Sequence, residues 1–426
     1  MERTLSVAKI GVNASLKYAG HKTLGKITGK NFDEFLTQQA QYITQELGQL
    51  KGSLMKAGQM LSMYGEYFFP PQANEFLKKL QTESPSIEWP VIKGYLESYI
   101  SPELIDELEI DPKPIGSASM GQVHKATIKA TGEKIALKIQ YPNLEEAIDS
   151  DIKALKKLLN MASVLPKDID LTSVFEDVKV MLRQELNYTL EAELTQKYRD
   201  LIKDDPRYIV PQVFKRYSTQ RVLATEYLEG LKADHPMVQS LSQKRRDALA
   251  ENFLDLYAKE LFQWNLIQTD PHLGNYKIQI DSKGHDKIVL LDFGATKEYS
   301  NEFMSAYRKM IKGSIEQNES LFFEGAKGLG FIIESDPQEY IAAFKSFCYE
   351  IVEPFTVHDE VYSWKTNNLP SRVMNKAIQF KNFDLRSPPK DIIFLDRKTG
   401  GVFIFLSVLN ATINARKILD PYLKKV

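Results

Sequence analysis

The chain has 426 residues, 43% hydrophobic and 26% charged, with a net charge of −1. That length exceeds what one hydrophobic core usually holds, so at least two lobes are expected, and the near-neutral charge argues against nucleic acid as a partner. Cys348 is the only cysteine, which excludes an intrachain disulfide and a cysteine-based metal cluster and fits a reducing, cytoplasmic setting.

From the N-terminus, Met1–Lys30 carries Arg3, Lys9, Lys17, Lys22, Lys26 and Lys30 against Glu2 and lacks the apolar core of a secretory signal. Three readings stand for it: a peripheral contact with the inner face of an anionic membrane, a solvated helix, and a short organelle transit peptide. Helical spacing of apolar residues runs over Phe32–Met63, then over Gln72–Gln81 after the breaker Pro70-Pro71, and over Trp89–Tyr99. Asp111-Pro112-Lys113-Pro114 is expected to end this helical region.

Strands are predicted at Gln122–Lys129 and Lys134–Gln140, and helices at Leu144–Met161 and Val174–Leu201. Further strands are expected at Ile209–Lys215, Arg221–Tyr227, Tyr276–Ile280 and Lys287–Leu291, with Glu229-Gly230 as a link between lobes. Gly401–Ile413 is too short and polar to span a bilayer and reads as a buried helix. The pattern gives an α+β chain with a helical extension (1–110), a small mixed lobe (111–229) and a mostly helical lobe (230–426).

Four elements carry chemistry. Gly116-Ser117-Ala118-Ser119-Met120-Gly121 precedes a strand starting Gln122-Val123, and a glycine-rich turn there lets backbone N–H groups approach phosphates; taken alone, with alanine at its middle position, it reads better as a surface turn. Ile135-Ala136-Leu137-Lys138 ends an apolar strand in a lysine suited to phosphate contact. Asp270-Pro271-His272-Leu273-Gly274-Asn275 has the D-x-x-x-x-N spacing in which one carboxylate meets the attacking hydroxyl or water and an amide oxygen meets magnesium. Gln268-Thr269 stand where a kinase has His-Arg. Leu290-Leu291-Asp292-Phe293-Gly294 is an apolar strand ending in a carboxylate placed to hold a divalent cation. Order and spacing together predict a two-lobed, protein-kinase-like fold that binds ATP and Mg2+, with adenine against the backbone of Glu226, Tyr227 and Leu228.

From roughly residue 30 onward the chain resembles the UbiB family of atypical kinases. Lys56-Ala57-Gly58-Gln59 matches its K-x-G-Q signature, Pro114–His124 resembles its alanine-rich nucleotide loop, and Thr269–Asn275 is close to T-D-P-H-P-G-N, with Leu273 replacing a proline. The family's E-x-D element falls on Glu185-Leu186-Asn187, where asparagine replaces aspartate, so a contact with Lys56 through position 187 becomes a neutral hydrogen bond. Helical spacing puts Glu191 on the face of Asn187 as the partner of Lys138 and leaves Glu185 nearer the extension. The two C-terminal membrane helices of some bacterial members are not found in the sequence.

The resemblance implies an ATPase or small-molecule phosphotransferase that supports isoprenoid-quinone (ubiquinone) synthesis, with quinone-pathway enzymes or an isoprenoid lipid as partners. Asp270 would be the base or water-orienting group, Lys138 the phosphate contact, and Asn275 and Asp292 the metal ligands. A protein kinase is the alternative within enzymes. Against it, a helix is predicted near Asn301 and no Ala-Pro-Glu follows, which leaves little chain for an activation segment. A nucleotide-gated, lipid-sensing module without turnover is the alternative outside them.

Overall fold

The computed structural model describes residues 53–68, 77, 86–118, 120–161, 172–379 and 390–426. The basic segment Met1–Lys30, most of Phe32–Met63, nearly all of Gln72–Gln81, and Ser119 lie outside them. The chain divides into two compact units, Met1–Gln196 with Gln212–Tyr227, and Lys197–Pro211 with Leu228–Val426.

In the first unit α1 (Ser53–Phe68) buries Ala57, Met60 and Leu61. Helix α2 (Trp89–Tyr99) buries Ile92 and Leu96, one turn apart, and α3 (Pro102–Asp106) leads into the sheet. The strands β1 (Leu108–Ala118), β2 (Gly121–Ile128) and β3 (Lys134–Gln140) follow. Next come α4 (Leu144–Met161), α5 (Thr172–Glu185) and α6 (Tyr188–Ile202). The chain then forms β4 (Tyr208–Ile209), a strand of the second unit, and returns as β5 (Val222–Glu226). The antiparallel order is β1-β2-β3-β5. In α4 the buried Leu144, Ile148, Ile152, Leu155 and Leu159 form the stripe that packs it, and α1 packs against α4 and α5.

Four expectations need correcting here. Asp111–Pro114 does not end a helical region, and Gly116–Ala118 is strand rather than turn. β1 tolerates Pro112 and Pro114, which lack an N–H, because it is an edge strand and its register slips at Ile110/Pro114 and Pro114/Gly116. Val174–Leu201 is two helices, broken at Leu186-Asn187. There the Asn187 side chain accepts from Leu190 N (3.1 Å) and caps α6. Ile209–Lys215 is not one strand: β4 stops at Ile209, Val213 bridges Thr225, and a 3-10 turn begins at Lys215.

The second unit adds α7 (Pro236–Gln239) and α8 (Gln243–Lys259), continued by a π turn (Glu260–Trp264) that ends at left-handed Asn265. Short strands β6 (Leu266–Gln268), β7 (Tyr276–Gln279), β8 (Lys287–Leu290) and β9 (Thr296–Glu298) follow. They pair as β4-β8-β7 and β6-β9. Then come α9 (Asn301–Ile315), α10 (Glu319–Gly328), α11 (Gln338–Ile351) and β10 (Tyr362–Ser363). Last are α12 (Leu369–Gln379), α13 (Lys390–Val408), β11 (Thr412–Ile413) and α14 (Ala415–Leu423). Phe253 of α8 stacks on Phe405 of α13 at 3.9 Å and meets Tyr276 edge-on, forming a core beneath β7. The helix expected through Ile413 ends at Val408, where Asn410 turns at positive φ and the chain enters β11.

Candidate active site

In the first unit, strand alternation decides which side chains face the core. Ile135, Leu137 and Ile139 are fully buried on one face of β3, so Lys138 stands on the other. There its Nζ lies 2.7 Å from Glu191 Oε1 and 2.8 Å from Oε2, and 5.0 Å from the Tyr188 ring centroid. Glu191 reaches it from the first turn of α6, a helix that the Asn187 cap starts in the right place. Val123 pairs with Lys138 across β2/β3 and shares its face.

Gln122 does not share it. This side chain is fully buried on the core face. Its Oε1 accepts from Ile87 N (2.9 Å), and its Nε2 donates to Ile87 O (3.1 Å) and to His124 Nε2 (2.8 Å). Position 122 is therefore a clip between β2 and the chain before α2, and any nucleotide contact there is limited to backbone. Gly121 is fixed by packing as well, since a Cβ would come within 2.6 Å of Ile139 O and 2.9 Å of the Tyr188 hydroxyl. Gly116 is exposed with open space around it, Ser117 Oγ lies 3.3 Å from Tyr141 Oη, and Ala118 pairs through its backbone with Gly121. The backbone N–H groups of Glu226 and Tyr227 donate to Gln212 O (2.8 Å) and Lys134 O (3.0 Å), which takes two of the donors expected to meet adenine. In the second unit the Leu228 carbonyl accepts from Lys277 Nζ (3.3 Å).

Lys56 Nζ lies 2.8 Å from Glu185 Oε1, which joins α1 to the end of α5. Gly58 is buried and Gln59 half-buried in the same helix. Glu185 is the acid expected nearer the extension, whereas asparagine at 187 is expected to offer Lys56 only a neutral hydrogen bond. The charge comes from Glu185, and Asn187 serves instead as a helix cap.

In the second unit Asp270, Asn275 and Asp292 are organised by groups beneath them. Gln268 is 2% exposed; its Nε2 donates to the carbonyls of Asp270 (2.8 Å) and Asp292 (3.3 Å), and its Oε1 accepts from Tyr276 Oη (2.9 Å). Asn275 Nδ2 donates to Asp270 O (3.0 Å) and Oδ2 (3.3 Å). Thr269 N and Oγ1 both donate to Ala295 O, at 3.0 and 2.5 Å. Asp292 Oδ1 accepts from Gly294 N (3.0 Å), and Phe293 packs on Tyr198 at 4.7 Å.

Three further side chains belong to this site. Arg397 of α13 donates to Asp270 Oδ1 (2.5 Å), and its neighbour Lys398 pairs with Glu260 (2.8 Å), both members 1% exposed. Glu260 Oε1 also accepts from Tyr198 Oη (3.0 Å) and Gln268 N (3.3 Å). Burial pushes the Glu260 carboxyl above its ordinary range, and the Lys398 ammonium opposes that shift. Gln268 was visible in the sequence only as a substitution. Arg397 lies 127 residues from its partner and carries no local motif; the one available hint was Arg397-Lys398 set just before Gly400-Gly401 in an apolar helix.

The donor set fits Mg2+. Asn275 uses its amide nitrogen on Asp270, which leaves the amide oxygen as the atom for a cation, and Asp292 brings a carboxylate. Among the described residues no cluster of three or more His, Cys, Asp or Glu could hold a metal unaided. Magnesium matches such a sparse oxygen set because nucleotide phosphates and water complete its shell.

A Lys–Glu pair on a four-stranded antiparallel sheet, together with an Asp-x4-Asn loop bonded to an Asp-Phe-Gly strand end, defines a protein-kinase-like molecule. Residues 79–324 match the ABC1 atypical kinase-like domain, and the chain belongs to that family. It is 28% identical to the mitochondrial atypical kinase COQ8 of Saccharomyces cerevisiae, over 96% of this chain and 81% of that one. It is 30% identical to mitochondrial coq-8 of Caenorhabditis elegans, over 88% of this chain and about half (49%) of the relative. A solved Mycobacterium tuberculosis structure, the Rv3197–erythromycin complex, superposes with a TM-score of 0.63 at 24% identity, covering 91% of this chain and 96% of that one, and shares the fold. The chain is thus an atypical kinase-like protein, similar along most of its length to the mitochondrial COQ8 proteins.

Proposed function

We propose that the protein is an ATP-dependent enzyme, an ATPase or small-molecule phosphotransferase, acting in support of isoprenoid-quinone synthesis. Lys138, held by Glu191, contacts the phosphates, and the backbone of the β1–β2 connection lies along them. Asp270 orients the attacking water or hydroxyl. Asn275 and Asp292 hold Mg2+, which, when bound, supplies charge neutralisation at the phosphates. The observation that carries the reading is Gln268. One buried amide holds the backbone of both Asp270 and Asp292, so the proposed base and the proposed metal carboxylate move as one piece.

The segment after Asp-Phe-Gly disfavours a protein substrate: β9 starts at Thr296 and α9 at Asn301. Quinone-pathway enzymes or an isoprenoid lipid are the partners we favour, at a membrane surface and through the basic N-terminus. No described helix is long and apolar enough to cross a membrane, and the COQ8 relatives carry mitochondrial names. The test is Mg2+-dependent ATP turnover with and without quinone-like phenols or anionic liposomes. Turnover is expected in the wild type and is expected to be lost in Lys138→Ala and Asp270→Asn. Equal turnover in all three proteins would refute the assignment.

A further inference from the structure

We infer that Arg397 is a positioning residue for phosphoryl transfer, holding the Asp270 carboxylate in its working orientation from helix α13. The inference rests on the function proposed above and adds a residue that lies outside every motif found in the sequence.

Four residues of α13 point the same way. Arg397 donates to Asp270 Oδ1 at 2.5 Å, while Asn275 approaches Oδ2 at 3.3 Å, so both carboxylate oxygens are held and the side chain has no free rotation. Lys398 anchors the helix beneath through Glu260, which accepts in turn from the Gln268 backbone. One turn on, Gly401 lies against Pro271 so closely that a Cβ would overlap the ring. One and a half turns before Arg397, Asp391 pairs with Lys297 of β9, and the Asp391 carbonyl accepts from Tyr299 Oη (3.4 Å). The helix therefore grips the catalytic loop and the strand after Asp-Phe-Gly together. An arginine suits this task because its planar, permanently charged fork fixes a carboxylate more rigidly than an ammonium does.

In the hydrolytic reaction the water oxygen bonds to the γ-phosphorus of ATP and the bond from that phosphorus to the β,γ-bridging oxygen breaks. The proton released by water passes to Asp270 and then to solvent, giving ADP and inorganic phosphate. Arg397 makes no bond in this sequence. It fixes where the Asp270 oxygen stands when the water attacks, a placement to which rates are sensitive.

The experiment measures steady-state ATP hydrolysis and, separately, Mg-ATP affinity by calorimetry on the full chain. The variants are Arg397→Ala, Arg397→Lys, Asp270→Asn and the Arg397→Ala/Asp270→Asn pair. Arg397→Ala is expected to lower kcat by about 30- to 100-fold while KM and Mg-ATP affinity stay within about threefold. Arg397→Lys recovers part of the loss, and the pair is no slower than Asp270→Asn alone, because the arginine acts through the aspartate. An unchanged or raised kcat in Arg397→Ala overturns the inference, the latter marking the contact as inhibitory. So does a fully additive loss in the pair, or a matching loss of affinity. Should Arg397→Ala fail to fold, Arg397→Gln and Arg397→Lys carry the same comparison. A wild type without ATP turnover removes the proposed function and this inference together, whereas normal turnover with silent Arg397 variants removes the inference alone.

Discussion

Replacing Lys398 by methionine removes the cation from a buried pair and leaves the Glu260 carboxyl without a counter-charge beneath the Asp270–Asn275 loop. At 2.8 Å and an effective dielectric constant of about 20, the gross attraction is roughly 6 kcal/mol, of which desolvation cancels a large part. Breaking such a pair by removing one partner costs about 3–5 kcal/mol. In a unit of roughly 200 residues that corresponds to a fall of about 10 °C in Tm. The effect has a pH signature. Burial raises the Glu260 carboxyl above its ordinary 4.5, so at intermediate pH the folded state binds a proton that the unfolded chain has released. Stability therefore falls as pH rises between the unfolded and folded values, and losing Lys398 widens that window. Thermal melts of the wild type, Lys398→Met and Glu260→Gln/Lys398→Met between pH 5 and 8 test this. The single variant should suffer most at high pH, and the double variant should recover most of the loss. A small, pH-independent deficit in Lys398→Met, with no recovery in the double variant, would show that Glu260 carries no stranded charge in the variant.

Gly121→Ala drives a Cβ into the β3 backbone and should cost about 1–3 kcal/mol by thermal melt. Gly116→Ala has open space and should change stability by less than about 0.5 kcal/mol, so any effect it has on nucleotide affinity reports on the ligand. Asn187→Ala removes the α6 cap and should cost about 1 kcal/mol, whereas Asn187→Asp should retain stability, as carboxylates also cap and favour helix N-termini. His124 is held neutral, its Nδ1–H donating to Asp111 O and its Nε2 accepting from Gln122, and burial lowers its pKa below 6.5. Its contribution is present above the unfolded value and lost as pH falls through the folded one. Replacing it by asparagine should accordingly flatten the decline in Tm from pH 7 to 5, and an unchanged slope would remove this role.

Periodicity located much of this fold because one-sided burial leaves a mark on the sequence. Leu144–Met161 and Trp89–Tyr99 have the expected bounds, and β3 reads as alternation. The failures have physical causes. Two prolines hid β1, since sequence spacing does not reveal that a strand lies at an edge. Leu186-Asn187 hid a helix boundary because Asn caps and interrupts with the same side chain. β6 and β9 are three residues each, below the length at which alternation can be seen. Within the candidate site, the motif residues could be singled out in the sequence because phosphate chemistry would demand fixed spacings. Their supports could not: Gln122 is expected at a strand start beside the phosphates yet its side chain faces the core, and Arg397 and Lys398 reach the site only through tertiary packing.

The proposed function depends most on Asp292, its backbone held by Gln268, as a ligand of the magnesium through which ATP would bind. The most direct measurement is calorimetric ATP affinity for the wild type and Asp292→Asn, each with excess Mg2+ and with chelator. Binding should be Mg2+-enhanced in the wild type and, with one ligand charge removed, show no enhancement in Asp292→Asn. Equal affinity and equal Mg2+ dependence in the two proteins would contradict it.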